Sequence, residues 1–133
     1  LIGVLTLKAT INASATQSWT VKQAMTDAYL TREVALSQRM PFDDVTSNGS
    51  LWGVYPSVET STVNLGKLPG GKAVTATVHR TRYPDANNLA SASGSGTSAT
   101  NPGGTEAWQL QSLLSYEIEG RKYVKTRTTL RIR

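Results

Sequence analysis

One histidine, one acidic doublet and a row of cations near the C-terminus are the residues whose types invite a chemical reading. His79 stands among threonines. Nucleophilic catalysis would need a serine beside it and a third group to orient the imidazole, and no G-x-S-x-G elbow occurs. It reads as a surface or half-buried strand residue. Asp43 and Asp44 are adjacent, so on a strand they would point to opposite faces and make a poor acid–base pair. A turn or helix-capping role suits them better. With one His and no Cys, a metal would have only scattered carboxylates. Gly94, Gly96, Gly103 and Gly104 lack the lysine and the strand-to-helix setting of a phosphate loop. The expectation is a chain that is not an enzyme and carries no cofactor.

The cations form the one pattern with a spacing. Tyr123, Lys125, Arg127, Arg131 and Arg133 fall on alternate positions of the last strand, so a strand would place them together on the face opposite the core. Lys125, Arg127, Arg131 and Arg133 are the candidate contacts to an anionic partner. The competing reading is a solvated face that guards a sheet edge or pairs with acids on a neighbouring subunit. No set of stacking aromatics accompanies the stripe, so nucleic acid is the disfavoured partner.

These residues sit in a chain of 133 residues with a formal net charge of +5 and 38% apolar residues, which suits one domain with a thin core. The absence of cysteine excludes a disulfide framework. No stretch reaches the roughly 18 apolar residues that a membrane span needs. The chain opens on Leu1-Ile2-Gly3-Val4-Leu5-Thr6-Leu7 without an initiator Met. That start reads as processed or truncated, with a targeting segment removed.

From Val4 to Met40 there is neither Gly nor Pro, and Pro41 punctuates the run. Such a stretch permits a helix of about 55 Å at ~1.5 Å per residue. Its firmest part is Asp27 to Met40, because threonines weaken the earlier portion. After Pro41 the period changes. Turns are expected at Ser47-Asn48-Gly49 and Pro69-Gly70-Gly71, and strands at Leu51–Tyr55, Val58–Leu65 and Ala73–Arg82. Residues 85–106 are Ser/Gly-rich and read as an exposed flap. Trp108 to Ile118 and Val124 to Ile132 alternate as a closing hairpin. A three-residue loop, Gly120-Arg121-Lys122, would set Ile118 opposite Val124 and Glu117 across from Lys125. The expected fold is α+β: a long N-terminal α-helix packed on a small antiparallel β-sheet. Residues 1–41 form its helical spine and residues 42–133 its head, in one structural domain.

The segment from Tyr29 through Arg39-Met40-Pro41-Phe42-Asp43-Asp44 resembles the end of the helical spine in type IV pilins and type II secretion pseudopilins. The Tyr116 to Tyr123 hairpin is similar to the closing strands of minor pseudopilins. The resemblance implies a pilin-like layout and a structural subunit that polymerises with copies of itself. Its precursor would sit in the inner membrane, its partners would include a secretion or pilus assembly machinery, and the product would be a cell-surface filament. Leu1, Ile2, Val4, Leu5, Leu7, Ile11, Ala15 and Trp19 would then form the subunit interface. Family members carry a glutamate at the fifth mature position. Position five here is Leu5, so no residue of this chain takes that role. A capsid- or tail-like assembly subunit and a nucleic-acid-binding domain are the alternatives.

Overall fold

Four consecutive strands pair each with the next in the chain. The computed structural model describes residues 2–133, with side chains from residue 18 onward. Helix α1 (Ile2–Arg39) leads into a short α2 (Phe42–Val45), followed by β1 (Glu59–Lys67), β2 (Ala73–Pro84), β3 (Ala107–Ile118) and β4 (Arg121–Ile132). The sheet is antiparallel throughout, in the order β1-β2-β3-β4.

This corrects the expected long helix on a small sheet. Three strands run 12 residues each, about 40 Å at ~3.3 Å per residue. The helix whose side chains are described covers 22 residues, 18–39, about 33 Å at ~1.5 Å per residue. The sheet is the larger element, and the 22-residue part of the helix with described side chains packs against it. The α+β class stands; the pilin-like layout does not follow. Freedom from Gly and Pro permits a helix, whereas packing on the strands decides how much of it the fold holds.

The helix buries Thr26, Leu30, Glu33 and Ser37. Spacings of four, three and four place them on one face. Leu30 joins Ala76, Val78, Leu114, Tyr116 and Ile118 in one cluster, while Val45, Trp52 and Leu110 form a second. Three of the four buried helix residues are polar, so the spacing of apolar residues alone would not locate this face.

Both expected turns form, and two local expectations fail. Leu51–Tyr55 is a series of turns, not a strand. Gly53 sits at φ +71, and a Cβ there would lie 2.9 Å from the Glu59 side chain. The closing hairpin turns through two residues, Glu119 (φ 51) and Gly120 (φ 80), the paired positive angles of a type I′ turn. Ile118 therefore pairs with Arg121, Tyr116 with Tyr123, Leu114 with Lys125 and Glu117 with Lys122. Matching apolar residue to apolar residue was the wrong guide. The helix offers β4 carbonyls and a carboxylate, so the core-side stripe of β4 is cationic.

The 85–106 segment is exposed over much of its length but buries Asn88 and Ala92, and Asn88 organises it. The Asn88 amide donates to the Ala107 carbonyl (2.9 Å), and the Ala107 N–H donates to Asn88 Oδ1 (2.9 Å). This closes the loop's neck as a ladder pair would. At Gly94 a Cβ would lie 1.9 Å from the Asn88 carbonyl oxygen, so only glycine fits that crossing. Asn88→Ala is expected to lower stability by about 1–3 kcal/mol, because the Ala107 N–H loses its acceptor and the Ala107 carbonyl keeps only the Asp85 N–H. Urea denaturation checks this, and a change below a few tenths of a kcal/mol would remove Asn88 from this role.

Candidate functional site

The short two-residue turn decides where the cations go. Residues paired across a ladder share a face. Lys125, Arg127 and Arg131 pair with Leu114, Ser112 and Trp108, all buried. The cationic stripe therefore faces α1 rather than the outside. Lys125 Nζ donates to Thr26 Oγ1 (2.9 Å) and Asp27 Oδ1 (2.8 Å). Arg131 donates to the Ser37 and Met40 carbonyls, capping the end of the helix where carbonyls lack partners. Ser37 and Thr129 hydroxyls meet at 2.7 Å. Arg127 lies 3.8 Å from Asp27, and Arg133 bonds Asp43 at 2.9 Å while lying over the Phe42 ring. The hydrogen bond from Lys125 holds the Asp27 carboxyl below its usual range. Two of the four candidate anion contacts are thus committed to the helix. The other two are half-exposed and each lies beside a carboxylate.

Deeper in the same seam lies a polar network that alternation does not reveal. Glu33 forms an ion pair with Arg80, whose Nε donates to Glu33 Oε2 at 3.1 Å. Arg80 also donates to the Tyr29 hydroxyl (2.9 Å). The Ser112 hydroxyl donates to Glu33 (3.2 Å), and the Trp52 indole N–H donates to Ser112 Oγ (3.4 Å). Burial pushes the Glu33 carboxyl up, but bonds from Arg80 and Tyr29 together outweigh it and hold it below the ordinary range. Burial, with the Glu33 carboxylate beside it, pushes Tyr29 up to about 12. A carboxylate saturated by a guanidinium, a phenol and a serine has no lone pair placed for a substrate proton. Its chemistry here is that of a clamp between helix and sheet.

Arg82 is a second clamp. Its guanidinium donates to the Val45 (2.6 Å) and Ser47 (3.0 Å) carbonyls and lies over the Trp108 ring at 5.1 Å. Burial lowers its pKa.

His79 Nδ1 meets the Thr60 hydroxyl at 3.0 Å across β1 and β2. Asp43 and Asp44 lie in the first turn of α2, where the helix dipole favours carboxylates. Among the described residues no group of His, Cys, Asp and Glu is arranged to hold a metal ion. No helix among them is long and apolar enough to cross a membrane.

Of the expected subunit-interface residues, the side chains of Leu1, Ile2, Val4, Leu5, Leu7, Ile11 and Ala15 lie outside the described residues. Trp19 is described and is 46% exposed, beside a hollow lined by Ile118, Glu119, Arg121 and Tyr123 at the hairpin tip. Two more apolar patches were not legible in advance. Leu51, Val54, Tyr55, Val58 and Tyr83 are exposed on and beside the 51–58 turns, with Tyr55 and Tyr83 edge-to-face at 6.4 Å. Val124, Leu130 and Ile132 are exposed on the outward face of β4. They are the residues that alternation had assigned to the core, and the two-residue turn moves them outside. No family model matches the chain, and comparison with curated proteins and with solved structures returns no match.

Proposed function

We propose that this chain is a non-catalytic structural subunit that assembles with copies of itself into a surface filament of the type IV pilus or secretion pseudopilus kind. The observation that carries the reading is the exposed apolar surface. Trp19, Leu51, Val54, Tyr55, Val58, Tyr83, Val124, Leu130 and Ile132 are each at least 40% exposed. Most gather at two places, the 51–58 turns with Tyr83 and the outward face of β4, while Trp19 stands by the hairpin tip. A small monomer that leaves such patches open is suited to association, since single exposed apolar residues are ordinary but grouped ones mark interfaces. Trp19 is one of the residues expected to contact neighbouring copies, and it stands uncovered at the hairpin end of the sheet.

The polar seam between α1 and β4 supports the same reading. It fixes the helix on the sheet by directed bonds, so association uses surfaces other than the one between them. Electron microscopy of the native protein, sheared from its cells or collected from the medium, tests the proposal. Thin uniform filaments are the expected result. Dispersed monomers that persist across salt and protein concentration would remove it.

A further inference from the structure

The sheet has two open edges. β1 and β4 are its outermost strands, and among the described residues no strand pairs with the far side of either. The two-residue turn makes Ile118 and Arg121 the first paired residues of the hairpin. In antiparallel pairs, alternate residues direct both backbone groups at the partner strand. The odd residues of β4 face β3 in this way, a series that the Arg133 N–H continues by donating to Glu106. The even residues, Lys122 to Ile132, then turn their N–H and C=O groups to the free edge.

Those even residues also carry their side chains away from α1. Lys122 is the one charged residue among them; Val124, Thr126, Thr128, Leu130 and Ile132 are all exposed and uncharged. Protein edges are commonly blunted by charged side chains, proline, bulges or a covering segment. β4 has no proline, and its register with β3 runs without a shift. Its Lys125 and Arg131 are held against the helix, while Lys122 at its start and Arg127 and Arg133 on the α1 side remain exposed. From Thr60 to Gly66, β1 also carries no charge and no proline, and its register against β2 shifts only between Asn64 and Gly66.

Polarity and charge say what fits this edge. In a meander of four antiparallel strands, β1 and β4 run in opposite directions. A second copy placed alongside in the same orientation therefore presents its β1 antiparallel to β4. Antiparallel pairing sets Glu59, at the start of β1, beside Arg131 and Arg133 at the end of β4. At the other end Lys67 comes near a hairpin tip where Glu119 stands beside Arg121 and Lys122, so the favourable charge match is the one at Glu59. We propose that β4 of one copy pairs with β1 of a second copy, continuing the sheet from subunit to subunit. This rests on the assembly reading and names one of its contacts.

The contact is heterologous, so it repeats without closing. A single strand–strand seam is small beside the roughly 1,200 Å² at the lower bound of standard stable interfaces. It would hold copies as a repeated contact in an assembly, not as an isolated dimer.

The absence of cysteine makes the test direct. Copies carrying Thr62→Cys are mixed with copies carrying Thr128→Cys, allowed to assemble, and treated with a short bismaleimide. A cross-linked dimer in the mixture, joined between β1 and β4 peptides by mass spectrometry, is the expected result. Adding Thr128→Pro in place of Thr128→Cys, with Thr126→Cys as the reporter, removes one edge-facing N–H and leaves the β3 ladder bonds intact. Loss of the cross-link with an unchanged far-UV circular dichroism spectrum is expected. If that variant unfolds, Thr128→Lys tests the same edge by charge. Filaments that form without any β1–β4 cross-link would overturn the pairing and leave the filament reading standing. The cross-link in concentrated solution without filaments would keep the pairing and remove the filament reading. Neither product would remove both.

Discussion

Replacing Glu33 with alanine lowers the unfolding free energy by about 3–5 kcal/mol, because it leaves the Arg80 charge partly buried without its partner. The Glu33 side chain is 4% exposed and that of Arg80 is 15% exposed, so water can replace little of what the carboxylate supplies. The loss extends past the ion pair. Ser112 loses an acceptor and Tyr29 loses the group its hydroxyl serves. Removing both charges, as Glu33→Leu with Arg80→Met, costs much less than the single change, since paired buried charges are often replaceable by apolar residues of similar volume. A double-mutant cycle measured by urea denaturation checks this. A Glu33→Ala loss below about 1 kcal/mol, the range of an exposed pair, would show that the network is solvated and not a clamp. The pH dependence follows from the same geometry. The folded pKa of Glu33 lies below its usual value, so its contribution is present above the unfolded value of about 4.3. It is lost as pH falls through the lower folded value. The wild type should therefore lose stability more steeply below about pH 4 than the double variant does.

Much of the head was legible because its signals are local. Turn residues and alternation located β1, β2 and β3 to within a few residues, and Pro41 marked the end of α1. The long helix and the Leu51–Tyr55 strand failed on length and local turns, but the misjudged faces share one cause. Each assumed that buried faces are apolar and exposed faces polar. On α1 the buried face is Thr26, Leu30, Glu33 and Ser37, which no apolar stripe announces. On β4 the same assumption chose a three-residue loop and turned the strand over, because a one-residue slip moves every side chain to the other face. Glu119-Gly120 held the correct turn chemistry. Glycine at the second central position suits a type I′ turn, and the Glu119 side chain tolerates the first at some cost. The cations were correctly seen as one stripe and placed on the wrong side of the sheet. Their partners are helix carbonyls and Asp27, and contacts between segments so distant in sequence leave no periodic trace. The Glu33–Arg80 pair, 47 residues apart, is hidden for the same reason.

Trp52→Ala is expected to destabilise the protein by about 3–5 kcal/mol, the range for emptying a buried large aromatic site. Trp52 is 1% exposed and is among the largest fully buried side chains. It packs with Val45 and Leu110, and Leu36 and Met40 close the cluster from the helix end. Few residues link so many elements: α1, the α2 region and β3 all meet it. The turns on either side contribute little apolar area of their own. Leu51, Val54 and Tyr55 are exposed, so the indole is the main apolar tie of the segment from 46 to 58 to the sheet, beside the polar one from Arg82 to the Ser47 carbonyl. Its N–H also reaches Ser112 of the Glu33 network, which couples the second core cluster to the helix clamp. Trp52→Phe should cost less than Trp52→Ala, retaining most of the packing and losing the bond to Ser112. The alanine loss and that of Glu33→Ala should be non-additive, since the two sites share Ser112 and contacting sites couple by about 0.5–3 kcal/mol. Far-UV circular dichroism with urea gives all three values. A Trp52→Ala loss under about 1 kcal/mol, far below the cavity range, would mean that the 46–58 segment is held by its backbone turns instead.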